Sequence, residues 1–212
     1  MLNAQGQPSA ARPYLERALA IQRQVLAPDH PDLGKALHNL GVVADAEGDH
    51  RSALAYFEDA LAVFEHAGGA EHPNLAPPLG GIGDELIALG RRHEALAYFA
   101  RAIAIQDRAA GLDYPDTAYP LTSYGSCLIE LGRAREAVPL LQRAVALRSN
   151  REVDPLELAD SQFQLARALW DSGRDRARAR TLAASAAAAY ARSDDDDPDR
   201  RAIAAWRAAH GG

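Results

Sequence analysis

The sequence predicts an all-α fold, an α-solenoid of antiparallel helix pairs, and three observations lead to this prediction. The chain repeats with a 42-residue period, apolar residues recur at helical spacing, and hydrophobic residues make up 48% of the chain although aromatic residues make up only 6%. Much of that apolar fraction is alanine, which has the highest helix propensity and lets helices approach closely. No segment shows the sustained alternation typical of a strand.

Several kinds of residue share this period, which is the signature of a repeat architecture. Glycine returns with the period at Gly6, Gly48, Gly90 and Gly132, and then one position early at Gly173. Alanine follows five and twelve residues after each of the first four. A small residue lies seven residues before each of the last four, at Gly41, Gly83, Gly125 and Ala166. A proline precedes the same glycines at a nearly constant distance, at Pro31, Pro73, Pro115 and Pro155.

Each repeat therefore contains a first and a second helix. Proline suits the first turn of a helix and glycine suits its C-terminal end, so Pro31 to Gly48 is predicted to be a first helix. Gly41, in the middle of that helix, indicates a close contact that a larger side chain would block. Apolar residues after Gly48 recur at i, i+3/4, i+7/8 and i+11, which predicts the second helix. Short loops at the glycines make the two helices antiparallel.

This spacing resembles the tetratricopeptide repeat. The residues that carry the resemblance are Leu40-Gly41, Gly48, Ala53, Phe57 and Ala60, and again Ile82-Gly83, Gly90, Ala95, Phe99 and Ala102. The length of the period and the segment Asp29–Asp32 resemble the longer kinesin-light-chain variety of this repeat. The resemblance implies a right-handed superhelix whose first helices line a concave groove.

The repeats divide the chain into three regions. Residues 1–27 are expected to be the orphan second helix of a truncated repeat, whose apolar residues Leu15, Leu19 and Ile21 either pack on the next pair or bind a partner. Residues 28–192 are expected to form four helix pairs, at about 32–67, 74–110, 116–149 and 155–192. Residues 193–212 are predicted to be an acidic linker and a capping helix that carries Trp206, because stacked repeats need a capped end.

The segment Asp154–Arg180 resembles the final repeat of tetratricopeptide regions that follow the catalytic domain in myxobacterial serine/threonine protein kinases. Lys35 is the only lysine, which fits a G+C-rich coding sequence. The chain has no glycine-rich phosphate loop, no His-Arg-Asp and no Asp-Phe-Gly sequence, so kinase activity is not expected in it. The resemblance implies a regulatory or substrate-docking region of a larger signalling protein.

Composition favours a binding protein over an enzyme. The formal net charge of −6 and the absence of a basic stripe argue against nucleic-acid binding. No apolar run is long enough to span a membrane, and the single cysteine excludes an internal disulfide and fits the cytoplasm. We therefore predict a scaffold that binds a protein or peptide without a cofactor. The alternatives are the signalling region above and, as a different class, a small-molecule sensor or enzyme.

The family resemblance implies that a partner binds at exposed positions of the first helices. These positions are Lys35, His38, Asn39, Val42 and Asp45 in the first pair, Gly81, Asp84 and Ile87 in the second, Tyr119, Thr122, Ser123, Ser126 and Glu130 in the third, and Asp160, Phe163, Gln164, Arg167 and Trp170 in the last. Asn39 stands where related repeats carry an asparagine that bonds the backbone of an extended peptide, but later repeats replace it. The alternative is that Asn39 has no binding role and contacts only solvent. Phe163 and Trp170 are either hot-spot anchors or have capping or core roles.

Motifs for other chemistry are weak. No metal site is predicted, because the only local group of ligand residues, in one interhelix loop, lacks tetrahedral spacing: Glu65, His66, Glu71 and His72. The run Asp194–Asp197 lacks the ligand spacing of a calcium loop. Cys127, which has no histidine near it in sequence, is expected to be a buried and unreactive thiol.

Overall fold

A computed structural model describes residues 8–149, 154–192, 194 and 196–211. Within these residues the chain is all-α, as predicted, with ten α-helices and no strand. The α-helices are α1 Pro8–Val25, α2 Pro31–Ala46, α3 His50–Gly68, α4 Ala76–Ala88, α5 Arg92–Ala110, α6 Ala118–Glu130, α7 Ala134–Ser149, α8 Pro155–Asp171, α9 Arg176–Ala189 and α10 Pro198–Ala209. Short 3₁₀ turns are Pro73–Leu75, Pro115–Thr117 and Tyr190–Arg192. None of the described helices has the length and apolarity needed to cross a bilayer.

The helices form two compact units, Met1–Leu112 with α1–α5 and Asp113–Gly212 with α6–α10. Helix pairs α2–α3 and α4–α5 lie in the first unit, and pairs α6–α7 and α8–α9 lie in the second. Gly6, the first glycine of the period, lies outside the described residues.

The first helices begin and end where local chemistry dictates. Pro31 is the first residue of α2, and the Nδ1 atom of His30 accepts a hydrogen bond from the Asp32 amide at 3.2 Å. His72 caps the next repeat in the same way through the Asn74 amide. Each of these repeated histidines accepts a hydrogen bond from a backbone amide two residues later, so both act as N-caps. At the other end of α2, Gly48 has φ of +76°, a conformation that side chains with a Cβ disfavour.

Close helix contacts explain the small residues in the middle of the first helices. A Cβ atom added to Gly41 would lie 2.6 Å from the Phe57 ring, and one added to Gly83 would lie 2.5 Å from the Phe99 ring. In the second unit, Gly125 has the same relation to Leu141. The first and second helices of a pair are thus in direct contact at these glycines, as the sequence predicts.

Helix α1 packs on the first pair by part of its apolar face. Leu19 is buried in the core of the first unit, and Leu15 is partly buried against that core. Ile21 is 54% exposed, so the predicted apolar face of this helix is only partly covered. Arg12 adds an ion pair to Glu47 at 2.7 Å, which ties α1 to the end of α2.

A buried arginine holds the second unit together. Arg148 of α7 is 7% exposed, and its Nη1 atom donates to the Glu157 carbonyl oxygen at 2.8 Å, to Ser161 Oγ, and to Thr122 Oγ1 at 3.3 Å. The hydroxyls of Thr122 and Ser161 also bond each other at 2.8 Å. Arg148 therefore joins three helices through one side chain.

Helix α10 is held by an aromatic cluster. The Trp206 ring lies edge-on to Trp170, with centroids 5.6 Å apart, and to Phe163 at 6.1 Å, while it stacks on His210 at 4.4 Å. Two arginines of α9 lie over the Trp170 ring, with Arg176 nearer at 4.8 Å. Within the second unit, Phe163 and Trp170 thus attach α10 to α8.

Candidate functional site

The outer face of α2 carries most of the residues predicted to bind a partner in the first repeat. Its opposite face is buried in the core through Leu33, Leu37, Leu40, Val43 and Ala44. Lys35, Asn39 and Val42 are exposed, and their spacing of four and then three residues places them in one line along the helix. We call Lys35, Asn39 and Val42 the α2 row.

The α2 row is accessible and only loosely held. Lys35 Nζ lies 3.0 Å from Asp32 Oδ1, and this hydrogen bond lowers the pKa of Asp32. The Asn39 amide makes no hydrogen bond to any described part of the chain, and Val42 is 40% exposed. An uncommitted amide beside an exposed apolar side chain is able to bind both the backbone and a side chain of another chain.

His38, beside the row, is committed to packing. Its ring lies 5.3 Å from the Phe57 ring, and burial lowers the pKa of the imidazole, which is therefore neutral at pH 7. The opposite edge of Phe57 meets Gly81, where an added Cβ would lie 2.8 Å from the ring. Gly81 is the residue of the second repeat that corresponds to Asn39, so Phe57 occupies the space where a second asparagine would stand. The departure from a repeated asparagine thus has a steric reason.

The structure also brings together three titratable side chains that lie apart in the sequence. They are Asp45 near the end of α2, His50 at the start of α3, and Glu85 in α4. His50 Nδ1 lies 2.9 Å from Glu85 Oε2 and 3.6 Å from Asp45 Oδ1. Only Asp45 was expected at a functional position. Sequence reasoning missed His50 and Glu85, because their proximity depends on how α4 packs against α2 and α3.

Glu85 is unusual in this group because its position in the repeat is otherwise occupied by side chains that carry no charge. It stands two residues after Gly83, where the other repeats have Val43, Cys127 and Ala168, all of which are fully buried. Glu85 itself is 2% exposed. Burial and the nearby charge of Asp45 raise the pKa of Glu85 to about 7, while the hydrogen bond with His50 opposes the shift. A carboxyl group thus occupies a position that the fold otherwise fills with an apolar side chain.

We predict that Glu85→Val stabilises the protein, by about 1–2 kcal/mol at pH 8, because replacing a buried ionic group with an apolar one of similar volume is often stabilising. His50 loses its partner but remains partly exposed to water. The folded pKa of Glu85 is about 7 and its ordinary value is 4.5, so wild type loses stability as pH rises between these values. The advantage of valine should therefore grow over that range. Urea unfolding at pH 5 and pH 8, in buffer with EDTA to remove trace metal, measures the difference in free energy of unfolding between the variant and wild type. A variant that is less stable than wild type at pH 8 contradicts the prediction.

The predicted residues of α4 and α6 differ in their exposure. Asp84 is partly exposed and Tyr119 is 49% exposed, while Ser123 and Ser126 are half-buried. The expectation that Thr122 is exposed is wrong. It is 5% exposed, and its hydroxyl is held by Ser161 and Arg148 inside the second unit.

In α8 the structure favours packing over a free surface. Phe163 is 7% exposed because it packs against Trp206, which contradicts an exposed position in the groove and agrees with the alternative of a capping or core role. Trp170 is half-buried in the same aromatic cluster. Gln164 and Arg167 are half-buried and bond each other at 2.9 Å. Substitution of Trp170 would therefore disturb the attachment of α10, which makes it a poor test of binding.

Two other groups have structural roles. In the loop after α3, His72 is an N-cap and Glu71 pairs with Arg108, while Glu65, near the end of α3, pairs with Arg101. Among the described residues, the metal-ligand types gather instead at Asp45, His50 and Glu85. Cys127 is fully buried, as expected.

Helix pairs that share one register define a helical-repeat protein of the solenoid class. The family model described as "Tetratricopeptide repeat" matches residues 1–66, 53–108 and 74–150, which together cover more than half of the chain. The chain belongs to the tetratricopeptide repeat family. Pair α8–α9 lies beyond the matched residues and has the same helix–glycine–helix arrangement, with Gly173 between its helices.

Solved structures agree with this assignment. The nearly identical TPR-like repeats assigned to a kinesin light chain of Podosopora anserina are 25% identical, with a TM-score of 0.70 over 91% of this chain and 92% of that one. BtubC (BKLC) from P. vanneervenii is 21% identical, with a TM-score of 0.77 over 92% of this chain and 78% of that one. YrrB, described as a TPR protein with an unusual peptide-binding site, is 19% identical, with a TM-score of 0.59 over 96% and 88%. The predicted kinesin-light-chain likeness is thus confirmed. A search of curated proteins found no match.

Proposed function

We propose that this chain is a protein-interaction module that binds an extended segment of a partner protein along the α2 row. The observation that carries the proposal is the exposure of Lys35, Asn39 and Val42 in one line on a first helix whose other face is buried. Repeat proteins of this kind use such extended surfaces for binding. The peptide-binding site named for YrrB supports the same class of function, although that likeness concerns the fold.

Each side chain of the row has a distinct part in the proposed binding. The Asn39 amide offers a donor and an acceptor, which match the carbonyl and N–H groups of an extended backbone. Val42 supplies apolar contact. Lys35 is exposed, and its ion pair with Asp32 is worth little in water, so its ammonium can transfer to a carboxylate of the partner. The row therefore favours a peptide with an acidic residue near an apolar one.

We predict that Asn39→Ala weakens peptide binding about tenfold, because two hydrogen bonds to a peptide backbone are each worth roughly 0.5–1.5 kcal/mol. Peptides would first be selected with the wild-type chain from a random library displayed on phage. Fluorescence polarisation then gives the dissociation constant of each selected peptide for wild type and variant. The control is Gln142→Ala, which removes an exposed amide from the second helix α7.

Two outcomes contradict the proposed site. If the Asn39→Ala and Gln142→Ala variants bind every selected peptide with equal affinity, the peptides do not bind at the α2 row. A library that yields no enriched peptide would argue against recognition of extended segments. Both variants must unfold at the same temperature as wild type, so that a change in affinity is not caused by misfolding. We expect this result because neither side chain has a hydrogen-bond partner in the described residues.

A regulatory or substrate-docking region of a larger bacterial signalling protein is the second function that we propose. The proposal rests on the resemblance expected from the sequence of Asp154–Arg180, a segment that lies beyond the residues matched by the family model. Reading the genomic frame upstream of Met1 tests it. Kinase motifs in that frame support the proposal, and a separate start with its own ribosome-binding site contradicts it.

A further inference from the structure

We propose that Asp45, His50 and Glu85 form a binding site for a divalent transition-metal ion of the zinc type, which clamps the first helix pair to the second. The site would draw one ligand from each of α2, α3 and α4. It is independent of the peptide-binding function proposed above.

The positions of the ligand atoms suit such an ion. His50 Nδ1 is 2.9 Å from Glu85 Oε2 and 3.6 Å from Asp45 Oδ1, and the three ligand atoms all lie within 4.8 Å of one another. Zinc bonds of about 2.0–2.2 Å in a tetrahedral arrangement separate neighbouring ligand atoms by roughly 3.3–3.6 Å. Small side-chain rotations therefore bring all three atoms to coordination distance. Asp45 is exposed and can make the largest of them.

Charge is the second argument. The two carboxylates carry two negative charges once metal binding has released their protons, and a divalent cation balances these charges. Glu85 is almost fully buried at a place where the other repeats have Val43, Cys127 and Ala168. A charged carboxylate at such a place is costly unless it is paired or coordinates a metal. His50 already bonds this carboxylate at 2.9 Å, and a bound divalent cation would balance the charges of Glu85 and Asp45 together, which one imidazole does not.

Helix ends add to the attraction for a cation. Asp45 is the penultimate residue of α2, which ends at Ala46, and Glu85 lies in the last turn of α4, which ends at Ala88. The C-terminal end of a helix carries partial negative charge from its free carbonyl groups. Two such ends near the cluster favour positive charge between them. His50 is the first residue of α3, and the partial positive charge of that N-terminal end offsets part of this attraction.

The donor set selects the kind of metal. Calcium and magnesium prefer oxygen ligands, with calcium taking six to eight and magnesium six, whereas an imidazole with two carboxylates suits zinc and its neighbours in the first transition row. Three protein ligands would leave a fourth position for a water molecule. The ion would therefore link helices from two repeats and stabilise the folded chain by mass action.

Isothermal titration of Zn²⁺ into the full, EDTA-treated chain tests the site. We expect one saturable site, a rise in the melting temperature with Zn²⁺ concentration, and no such rise with Mg²⁺ or Ca²⁺. Glu85→Gln and His50→Gln should each weaken Zn²⁺ binding by at least about tenfold. His66→Gln, which removes an exposed histidine of the same unit, should leave it unchanged.

The variant Glu85→Val separates a loss of metal binding from a loss of folding. It should keep the helical circular dichroism of wild type and lose the rise in melting temperature with Zn²⁺. A visible absorption band of bound Co²⁺, present in wild type and absent from Glu85→Val, is the matching spectroscopic result. The proposal is overturned if wild type binds no Zn²⁺ saturably. It is equally overturned if Glu85→Gln and His50→Gln bind Zn²⁺ as tightly as His66→Gln does, since the ion would then be at another histidine.

Discussion

Arg148→Met should lower the free energy of unfolding of the second unit by about 3 kcal/mol, because a buried hydrogen-bonded charge contributes through several bonds whose loss leaves polar groups unpaired. The Glu157 carbonyl oxygen accepts from Arg148 at 2.8 Å and would lose this donor. Thr122 and Ser161 would keep their mutual bond at 2.8 Å, which limits the loss. Methionine retains most of the aliphatic volume, so the effect reports on the hydrogen bonds and not on a cavity.

Urea unfolding followed by circular dichroism measures this loss. Arg135→Met is the matched control, because it removes an exposed arginine from the same helix, and its effect should stay within about 0.5 kcal/mol. If both variants unfold at the same urea concentration, the buried network does not stabilise the second unit. Arg148→Lys is expected to resemble methionine more than wild type, since one ammonium cannot reproduce the span of a guanidinium.

Gly83→Ala is expected to destabilise the first unit by about 2 kcal/mol, a typical cost of overpacking a core. Its added Cβ would lie 2.5 Å from two atoms of the Phe99 ring, which is itself fully buried and has no space to move into. Alanine has a higher helix propensity than glycine by roughly 1 kcal/mol, so the steric cost must exceed this gain. Destabilisation by a substitution that favours the helix would identify the contact as its cause.

A second substitution tests that cause directly. The fourth repeat has Ala166 and Leu182 at the positions of Gly83 and Phe99. Gly83→Ala combined with Phe99→Leu copies that combination and should be more stable than the sum of the two single effects predicts. Thermal unfolding of wild type, both single variants and the double variant completes the cycle. Strict additivity would show that Gly83 and Phe99 do not limit each other's size.

The repeat itself could be predicted because it depends on the conformational preferences of residues that are close in sequence. Pro31 at a helix start and Gly48 at φ of +76° follow from backbone rules that act within a few residues. A close helix contact at Gly41 could also be predicted, since a small residue recurs there with the period, and the structure identified Phe57 as its partner. The family resemblance then placed Asn39 at an exposed position of α2.

Burial between helices could not be predicted in the same way. Thr122 and Phe163 are each in register with an expected surface position, yet both are buried. Thr122 is covered because Arg148 extends from α7 to its hydroxyl, and Phe163 is covered because α10 places Trp206 against it. Arg148 does not recur, since Phe64 and Gln106 stand at the equivalent positions of the two preceding pairs, and α10 follows the last pair. The repeat register alone therefore does not reveal the burial of Thr122, whereas a capping or core role of Phe163 was among the expectations.

By itself the sequence determined the class of fold, the glycines at the ends of the first helices and the close contacts at their small residues, because these depend on backbone conformation and on side chains at helical spacing. The helix starts were predicted only in part, since the 3₁₀ turns Pro73–Leu75 and Pro115–Thr117 precede α4 and α6. Only the tertiary structure decided which polar residues meet, namely Arg148 with Thr122 and Ser161, and Asp45 with His50 and Glu85. The physical reason is that these contacts join different helices. Their distances depend on how far one helix is displaced along another, and the period of the repeat carries no information about that displacement.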